Sequence, residues 1–579
     1  MSELKEYVVT VKSKSDVDSF YDDMESQNGN DYIPKRKVEV AQLREISRNT
    51  HYYLTDEEAE NLKNDSRVLS VQLLPSALGF KTRQLWTEYA LFNKSSSVGS
   101  DNKNWGLYRM FRGIQPFAWG SSTTTYWNGV PYGTSTATYE TVTTTSSGKN
   151  VDVIVVDEII NPAHPEFAVN DDGTGGSRVV QYDWFQHSSS LGISTTGSYQ
   201  YNFVGNHGTY VASIVAGNTQ GWARDANIYN INFNFTESNK PSGDWTLYIY
   251  DYIRAFHLNK PINPKTGRRN PTIVNNSWGF YVAYLIDTVT SVTYRNTTTD
   301  LTGKTNDEKK IILEQQCGIA VPQTYNNTGI PVLQHGISYP GLAADITDAI
   351  NDGIIMVGAA GNYYMKDCKS GDADYNNNLI VDRGVDGIAT YYPCRGTSPS
   401  ADSNVISVGA VGPTRWEFKA SFSDYGSRTD LYAPGFNITG AVSNSLAGIE
   451  FNTTLANDPR DSNYRIITLS GTSGACAQVT GILGCLLEQW PFLTQSEARQ
   501  YLIDNSKYNQ IRDPGTMYAN ISEAPSPYLS LGESGVNSNN RFAYYKKERN
   551  LNGNMCKSTY KPRPTNNKCY PRQLIRNWG

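Results

Sequence analysis

Leu469-Ser470-Gly471-Thr472-Ser473-Gly474-Ala475-Cys476-Ala477-Gln478-Val479-Thr480-Gly481 reads as a strand end, a turn of small residues and the start of a helix through Leu486. The strand is carried by Ile466-Ile467-Thr468-Leu469. A hydroxyl in such a turn stands at a helix N-terminus, where backbone N–H groups lack partners and the dipole favours negative charge. A nucleophilic hydroxyl needs that setting when its reaction builds an oxyanion. Taken alone, the same pattern describes a helix cap, with Thr472 or Ser473 satisfying one backbone donor. The rest of the chain has to decide between them.

Working outward, apolar β-branched runs recur at 151–156, 228–231, 272–275, 354–358 and 405–409, with helical stretches expected over 209–216, 245–259 and 341–351. Strands alternating with helices predict an α/β domain built on a parallel sheet with helices on both faces. Chemistry in such folds gathers at the carboxyl ends of strands. Asp157 directly follows Val156, and Asn362 closes Val357-Gly358-Ala359-Ala360-Gly361-Asn362. His207, one of only six histidines, opens a helix in Gly205-Asn206-His207-Gly208-Thr209. Each has an ordinary reading as a turn or cap residue. Together with Ser473 they supply a carboxylate, an imidazole, a side-chain amide and a hydroxyl in one parallel-sheet domain, a set that coincidence explains poorly.

These segments resemble the subtilase family (subtilisin-like serine proteases, peptidase S8), nearest its proteinase K-like branch. Val153-Ile154-Val155-Val156-Asp157 with His164-Pro165-Glu166-Phe167 resembles the aspartate block, and Asn206-His207-Gly208-Thr209-Tyr210-Val211-Ala212 the histidine block. Gly471-Thr472-Ser473 with Ala475 resembles the serine block, and the order Asp, His, Ser is the subtilisin order. Asn104-Trp105-Gly106-Leu107-Tyr108-Arg109-Met110, Gly221-Trp222-Ala223-Arg224-Asp225-Ala226 and Ser421-Phe422-Ser423-Asp424-Tyr425-Gly426 with Ala433-Pro434-Gly435 are weaker echoes of the same family. Five positions depart from it. Glu158 and Ile159 stand where Ser or Thr and then Gly are usual, Tyr210 replaces a second histidine, and Gly474 and Ala477 replace Met and Pro.

The resemblance implies a serine endopeptidase with Asp157, His207 and Ser473 as triad and Asn362 as oxyanion donor, needing no cofactor. It further implies substrate contacts from Ser277, Trp278 and Gly279 on one edge strand, and from Ala359, Ala360 and Gly361 on the facing wall. Small residues there suggest a pocket open to bulky apolar side chains. In Gly371-Asp372-Ala373-Asp374-Tyr375-Asn376 the alternating oxygens make Asp372, Asp374 and Asn376 calcium candidates. The stretch lacks the sixth-position glycine and bidentate glutamate of an EF-hand loop, so a plain Asx-rich turn is the stronger reading.

Domain boundaries follow texture. Residues 1–80 read as a small strand-helix-strand-helix-strand unit, with Thr55-Asp56-Glu57-Glu58 as a capping box, and are similar to the inhibitory, folding-assisting propeptide of these proteases. A polar linker at 81–103 precedes a catalytic domain at 104–510 with insertions at 112–150 and 280–335, and a basic tail fills 511–579. The net charge of −5 is small for 579 residues, so nucleic acid is not an expected partner; peptide substrates and the chain's own first unit are. No run approaches the roughly 20 apolar residues of a membrane span. No signal peptide is visible, which predicts an intracellular or particle-associated protein. A virion or attachment protein retaining the fold with weak or no activity is the alternative. The seven cysteines contain no C-x-x-C; Cys368 with Cys394 and Cys556 with Cys569 are conceivable disulfides, and free thiols the default.

Overall fold

The computed structural model describes residues 3–25, 36–44, 46–79, 81–84, 105–112, 124–127, 130–133, 146–195, 197–201, 205–233, 244–321, 330–412, 419–443, 456–508 and 541–542. The basic tail beyond 542, most of the expected linker, Cys556 and Cys569 lie outside them.

The apolar runs of the sequence form one parallel sheet. In spatial order its strands are Val179–Val180, Asn227–Ile231, Asp152–Val156, Thr272–Asn276, Ile355–Ala359, Ile406–Val411 and Leu431–Pro434. The short strands Arg541–Phe542 and Lys507–Tyr508 extend it at one end. Every residue of Asp152–Val156, Thr272–Asn276, Ile355–Ala359 and Ile406–Val411 is buried, as expected of strands covered on both faces. The chain leaves Asp152–Val156 for the neighbour on one side, Asn227–Ile231, and returns to the neighbour on the other, Thr272–Asn276. The strand order therefore reverses at the strand that ends in Asp157, where α/β sheets open a crevice.

Two helices bring their first turns to this crevice. Asn206–Ala216 carries His207, and Thr472–Gln489 carries Ser473. They pack against each other, and the second is buried from Thr472 through Leu487. The strand that feeds the serine helix, Arg465–Leu469, is where the sequence places a strand, but it belongs to a separate antiparallel sheet with Ile438–Val442 and Ala456–Asn457. Apolar periodicity marks a strand without naming its partners.

The first unit is a four-stranded antiparallel sheet in the order Val40–Gln42, Asn49–Leu54, Lys5–Val11, Val68–Leu73, with helices Val17–Glu25 and Asp56–Leu62. Thr55 and Glu58 form the expected capping box. Strand alternation divides Lys5–Val11: Tyr7, Val9 and Val11 join Phe20, Met24 and Leu62 in the unit's own core, while Val8 packs into the core of the larger body. That second face lies on helices Ile249–Asn259 and Pro340–Asn351 of the larger body, through a buried charge cluster. Arg44 pairs with Asp251 at 2.8 Å and Asp345 at 2.9 Å, and Asn49 donates to Asp345 at 2.9 Å.

Part of the expected linker is ordered. Lys81–Gln84 is a strand, antiparallel to Trp278–Leu285, with Gln84 opposite Trp278 and Lys81 opposite Tyr281. The 280–335 insertion is also built rather than irregular. Its strand Val289–Tyr294 sits between Thr297–Asp300 and Asn378–Asp382 in a four-stranded antiparallel sheet. From the 112–150 insertion the hairpin Thr124–Trp127 with Val130–Gly133 is described.

Candidate active site

Asp157 begins the crevice. One residue past a fully buried strand, it is itself fully buried, and its Oδ1 faces His207 Nδ1 at 2.7 Å. The opposite ring nitrogen, Nε2, lies 3.1 Å from Ser473 Oγ. An imidazole that gives its Nδ1 proton to a carboxylate presents Nε2 as an acceptor, so the serine hydroxyl is the donor in this geometry. The hydroxyl also lies 3.3 Å from the carbonyl of Ser277. Carboxylate, imidazole and hydroxyl are thus in one hydrogen-bonded line, although residues 157, 207 and 473 come from three different elements.

Asn362 stands at the first turn of the helix that carries Ser473. Its Oδ1 accepts from the Thr472 backbone N–H at 3.0 Å and the Thr472 hydroxyl at 2.9 Å. Two donors on one atom fix which end of the amide is oxygen. Among the described residues the buried Nδ2 group has no partner. An orphaned buried donor is costly unless something else uses it. Its loop is held from beneath by Asp424, which accepts from the backbone N–H groups of Tyr363 at 2.8 Å and Met365 at 2.9 Å. Burial pushes the Asp424 carboxyl up to about 7. Gly361 is required there, because its φ is +133° and a Cβ would sit 2.0 Å from Asp424 Oδ2.

The expected substrate-contact residues flank this line. Ser277 is tied to the helix that carries Ser473, its hydroxyl donating to the Ser473 carbonyl at 3.2 Å and receiving Asn275 Nδ2 at 2.8 Å. Trp278 is buried, its ring stacked on Phe233 with centroids 5.4 Å apart. The strand Trp278–Leu285, which holds the expected contacts Trp278 and Gly279, carries the chain's own Lys81–Gln84 along one edge. Ala359, Ala360 and Gly361 close the wall behind Asn362, all buried.

The calcium candidates do not form a centre. Asp374 faces cations, Arg295 at 2.7 Å and Lys366 at 2.8 Å, which outweigh its burial and hold its carboxyl down to about 2. Asp372 accepts from the Ser427 hydroxyl and the Lys369 backbone, and Asn376 from Arg395. Their oxygens are occupied by the protein's own donors, so the stretch is an Asx-rich turn. Among the described residues no trio of His, Cys, Asp or Glu is placed to hold a metal. Cys368 and Cys394 are free buried thiols lying side by side, the Cys368 N–H donating to the Cys394 carbonyl at 2.9 Å. Among the described residues no helix is long and apolar enough to cross a membrane.

Two residues at the site were visible in the sequence only as oddities. Glu158 reaches back over the histidine helix, its Oε2 2.9 Å from the His207 backbone N–H. Tyr210 donates its hydroxyl to the carbonyls of Ile438 at 3.0 Å and Leu469 at 3.3 Å.

The profile of the Subtilase family matches residues 148–520. The extracellular serine proteinase of Thermus sp. (strain Rt41A) is 30% identical over 176 residues, which are 30% of this chain and 32% of that protein. Subtilisin-like protease 8 of Arthroderma otae is 30% identical over 125 residues, 20% of this chain and 22% of that protein. The chain therefore spans less than a third of the length of either relative. Among solved structures, fervidolysin from Fervidobacterium pennivorans, a keratinolytic enzyme related to subtilisin, superposes over 90% of this chain and 62% of its own at 15% identity, with a TM-score of 0.43.

Proposed function

Since the chain belongs to the subtilase family, we propose that it is a serine endopeptidase working through an acyl-enzyme on Ser473. The observation that carries this reading is the continuous contact from Asp157 Oδ1 to His207 Nδ1 and from His207 Nε2 to Ser473 Oγ, at 2.7 and 3.1 Å. A serine hydroxyl is a poor nucleophile at neutral pH until a base takes its proton. His207 Nε2 accepts that proton as Oγ attacks the peptide carbonyl, then returns it to the leaving amine. A water molecule, deprotonated by the same nitrogen, attacks the acyl ester and frees Ser473. Asp157 holds the imidazole in the required tautomer and stabilises the imidazolium. The carbonyl oxygen, negative in the tetrahedral intermediate, is received by Asn362 Nδ2 and the Ser473 backbone N–H. The amide's otherwise unused donor supports that role.

The substrate reading places an extended peptide on the edge of Trp278–Leu285, paired through its backbone, with Ala359, Ala360 and Gly361 as the facing wall. The first unit is an inhibitory and folding-assisting domain. In support, the strand Lys81–Gln84 that follows it lies on that same edge, where it excludes other peptides until it is cut and leaves.

The test is hydrolysis of denatured casein and the intact mass of the purified protein, wild type against Ser473→Ala. The wild type is expected to cleave itself between residues 75 and 104 and then hydrolyse casein. Ser473→Ala remains full length and inactive. A Ser473→Ala protein that still cleaves would overturn the assignment.

A further inference from the structure

We propose that Glu158 is a positioning residue for His207: its carboxylate caps the helix that carries the imidazole and sets a second anion behind the Asp157–His207 pair. The inference rests on the endopeptidase reading above and extends it to a residue that occupies the family's usual Ser or Thr position.

The histidine helix lacks a cap of its own. It opens at Gly205, which has no side chain to offer the first-turn N–H groups. Glu158 supplies one from the end of the neighbouring strand. Its Oε2 receives the His207 backbone N–H at 2.9 Å, and the Asn206 N–H faces the same carboxylate. Gly205 has φ −96° and ψ 158°, angles open to any residue, so its backbone does not demand glycine. Space does: a Cβ there would lie 2.3 Å from both Cβ and Oε2 of Glu158. The helix also rides on the Glu158 backbone, since a Cβ on Gly208 would lie 2.1 Å from its carbonyl oxygen.

The other end of the same residue touches the acid. Glu158 N–H donates to Asp157 Oδ1 at 2.8 Å, the oxygen that also faces His207 Nδ1. The Glu158 carbonyl is pinned by Asn230 Nδ2 at 3.0 Å. One residue thereby ties the acid to the helix bearing the base, and fixes their separation at both ends.

Charge adds a second consequence. Among the described residues, Asp157 from the strand and His207 from the helix act on the charge of Glu158. Burial first, then Asp157, pushes the Glu158 carboxyl up, while His207 and the two N–H donors pull against them. Once ionised, Glu158 is a further negative charge near the imidazole and favours its protonated form.

The cap and the charge are tested separately. In the full chain carrying Ser473→Ala, labelled with ¹⁵N-histidine, the titration of His207 is followed by NMR with and without Glu158→Gln. Gln keeps an acceptor for the N–H groups and removes the charge. The His207 midpoint is expected to fall by about half a unit or more, with the other histidines unmoved. A midpoint that stays put overturns the electrostatic half of the proposal. For the cap, Glu158→Ala in the active chain is expected to lower kcat about tenfold or more with KM within about twofold, as for a misplaced catalytic group. Glu158→Gln, which keeps an acceptor for the same N–H groups and adds no atom beside Gly205, is expected to recover most of the loss. A Gln variant no faster than the Ala variant overturns the cap. The NMR titration needs no turnover, so a wild type that hydrolyses nothing contradicts the endopeptidase reading without deciding this one.

Discussion

At the residue scale the site depends on which atoms are left without work to do. Asn362 spends its oxygen on Thr472 and keeps Nδ2 unpaired in a buried position. Replacing Asn362 with Ala is therefore expected to cut kcat by about 10²–10³ while KM changes little, because the lost contact forms only as charge develops on the substrate oxygen. Steady-state kinetics on a peptide substrate checks this; a loss confined to KM would place Asn362 in ground-state binding instead. Asp157, His207, Asn362 and Ser473 were all legible in the sequence, since each stands where an apolar run ends or a small-residue turn opens a helix. What Glu158 and Tyr210 do was not. Glu158 fits because Gly205 makes room for it, and Tyr210 fits beside Gly474, where a Cβ would approach its hydroxyl to 3.3 Å. Such compensations join positions far apart in the chain, and no local pattern announces them.

At the scale of elements, the serine helix is held by polar contacts that a periodicity argument cannot see. Tyr210, on the histidine helix, reaches the carbonyls of Ile438 and Leu469 and so joins that helix to the strand that feeds the Ser473 helix. Tyr210→Phe removes both hydrogen bonds from a buried position and is expected to destabilise the fold by about 1–3 kcal/mol, measured as a shift in the urea midpoint of the Ser473→Ala chain. No change would mean that the hydroxyl is not structural. The parallel strands were readable as β-branched runs, whereas Lys81–Gln84 was not. It is polar and becomes a strand only because the exposed backbone edge of Trp278–Leu285 pairs with it, an interaction that carries little side-chain signature. The partners of Arg465–Leu469 were hidden for a related reason, since its apolar content suits either sheet.

At the scale of the whole molecule, the first unit and the larger body meet through charge taken out of water. Arg44, Asp251 and Asp345 are all at 2% side-chain exposure or less. Burial pushes the Asp345 carboxyl up against the pull of Arg44. Arg44→Ala would strand two carboxylates beneath the first unit and is expected to weaken its docking by about 3–5 kcal/mol. In the Ser473→Ala chain this appears as separate, earlier unfolding of the first unit; a single unshifted transition would contradict it. Acid acts on the larger body through His335, whose burial lowers its pKa from 6.5 to about 4. The unfolded chain takes up that proton before the folded one, so the stabilisation is complete above pH 6.5 and is lost as pH falls toward 4. The change is about 3 kcal/mol over that window. His335→Gln should flatten the corresponding slope of stability against pH. The most direct single measurement is labelling with a fluorophosphonate probe, mapped by mass spectrometry after the first unit has been removed. The convergence of Asp157, His207 and Ser473 predicts covalent modification of Ser473, and its loss in His207→Ala freed of its first unit by an added protease. A wild-type chain that stays unlabelled at Ser473, with its first unit gone, would contradict it.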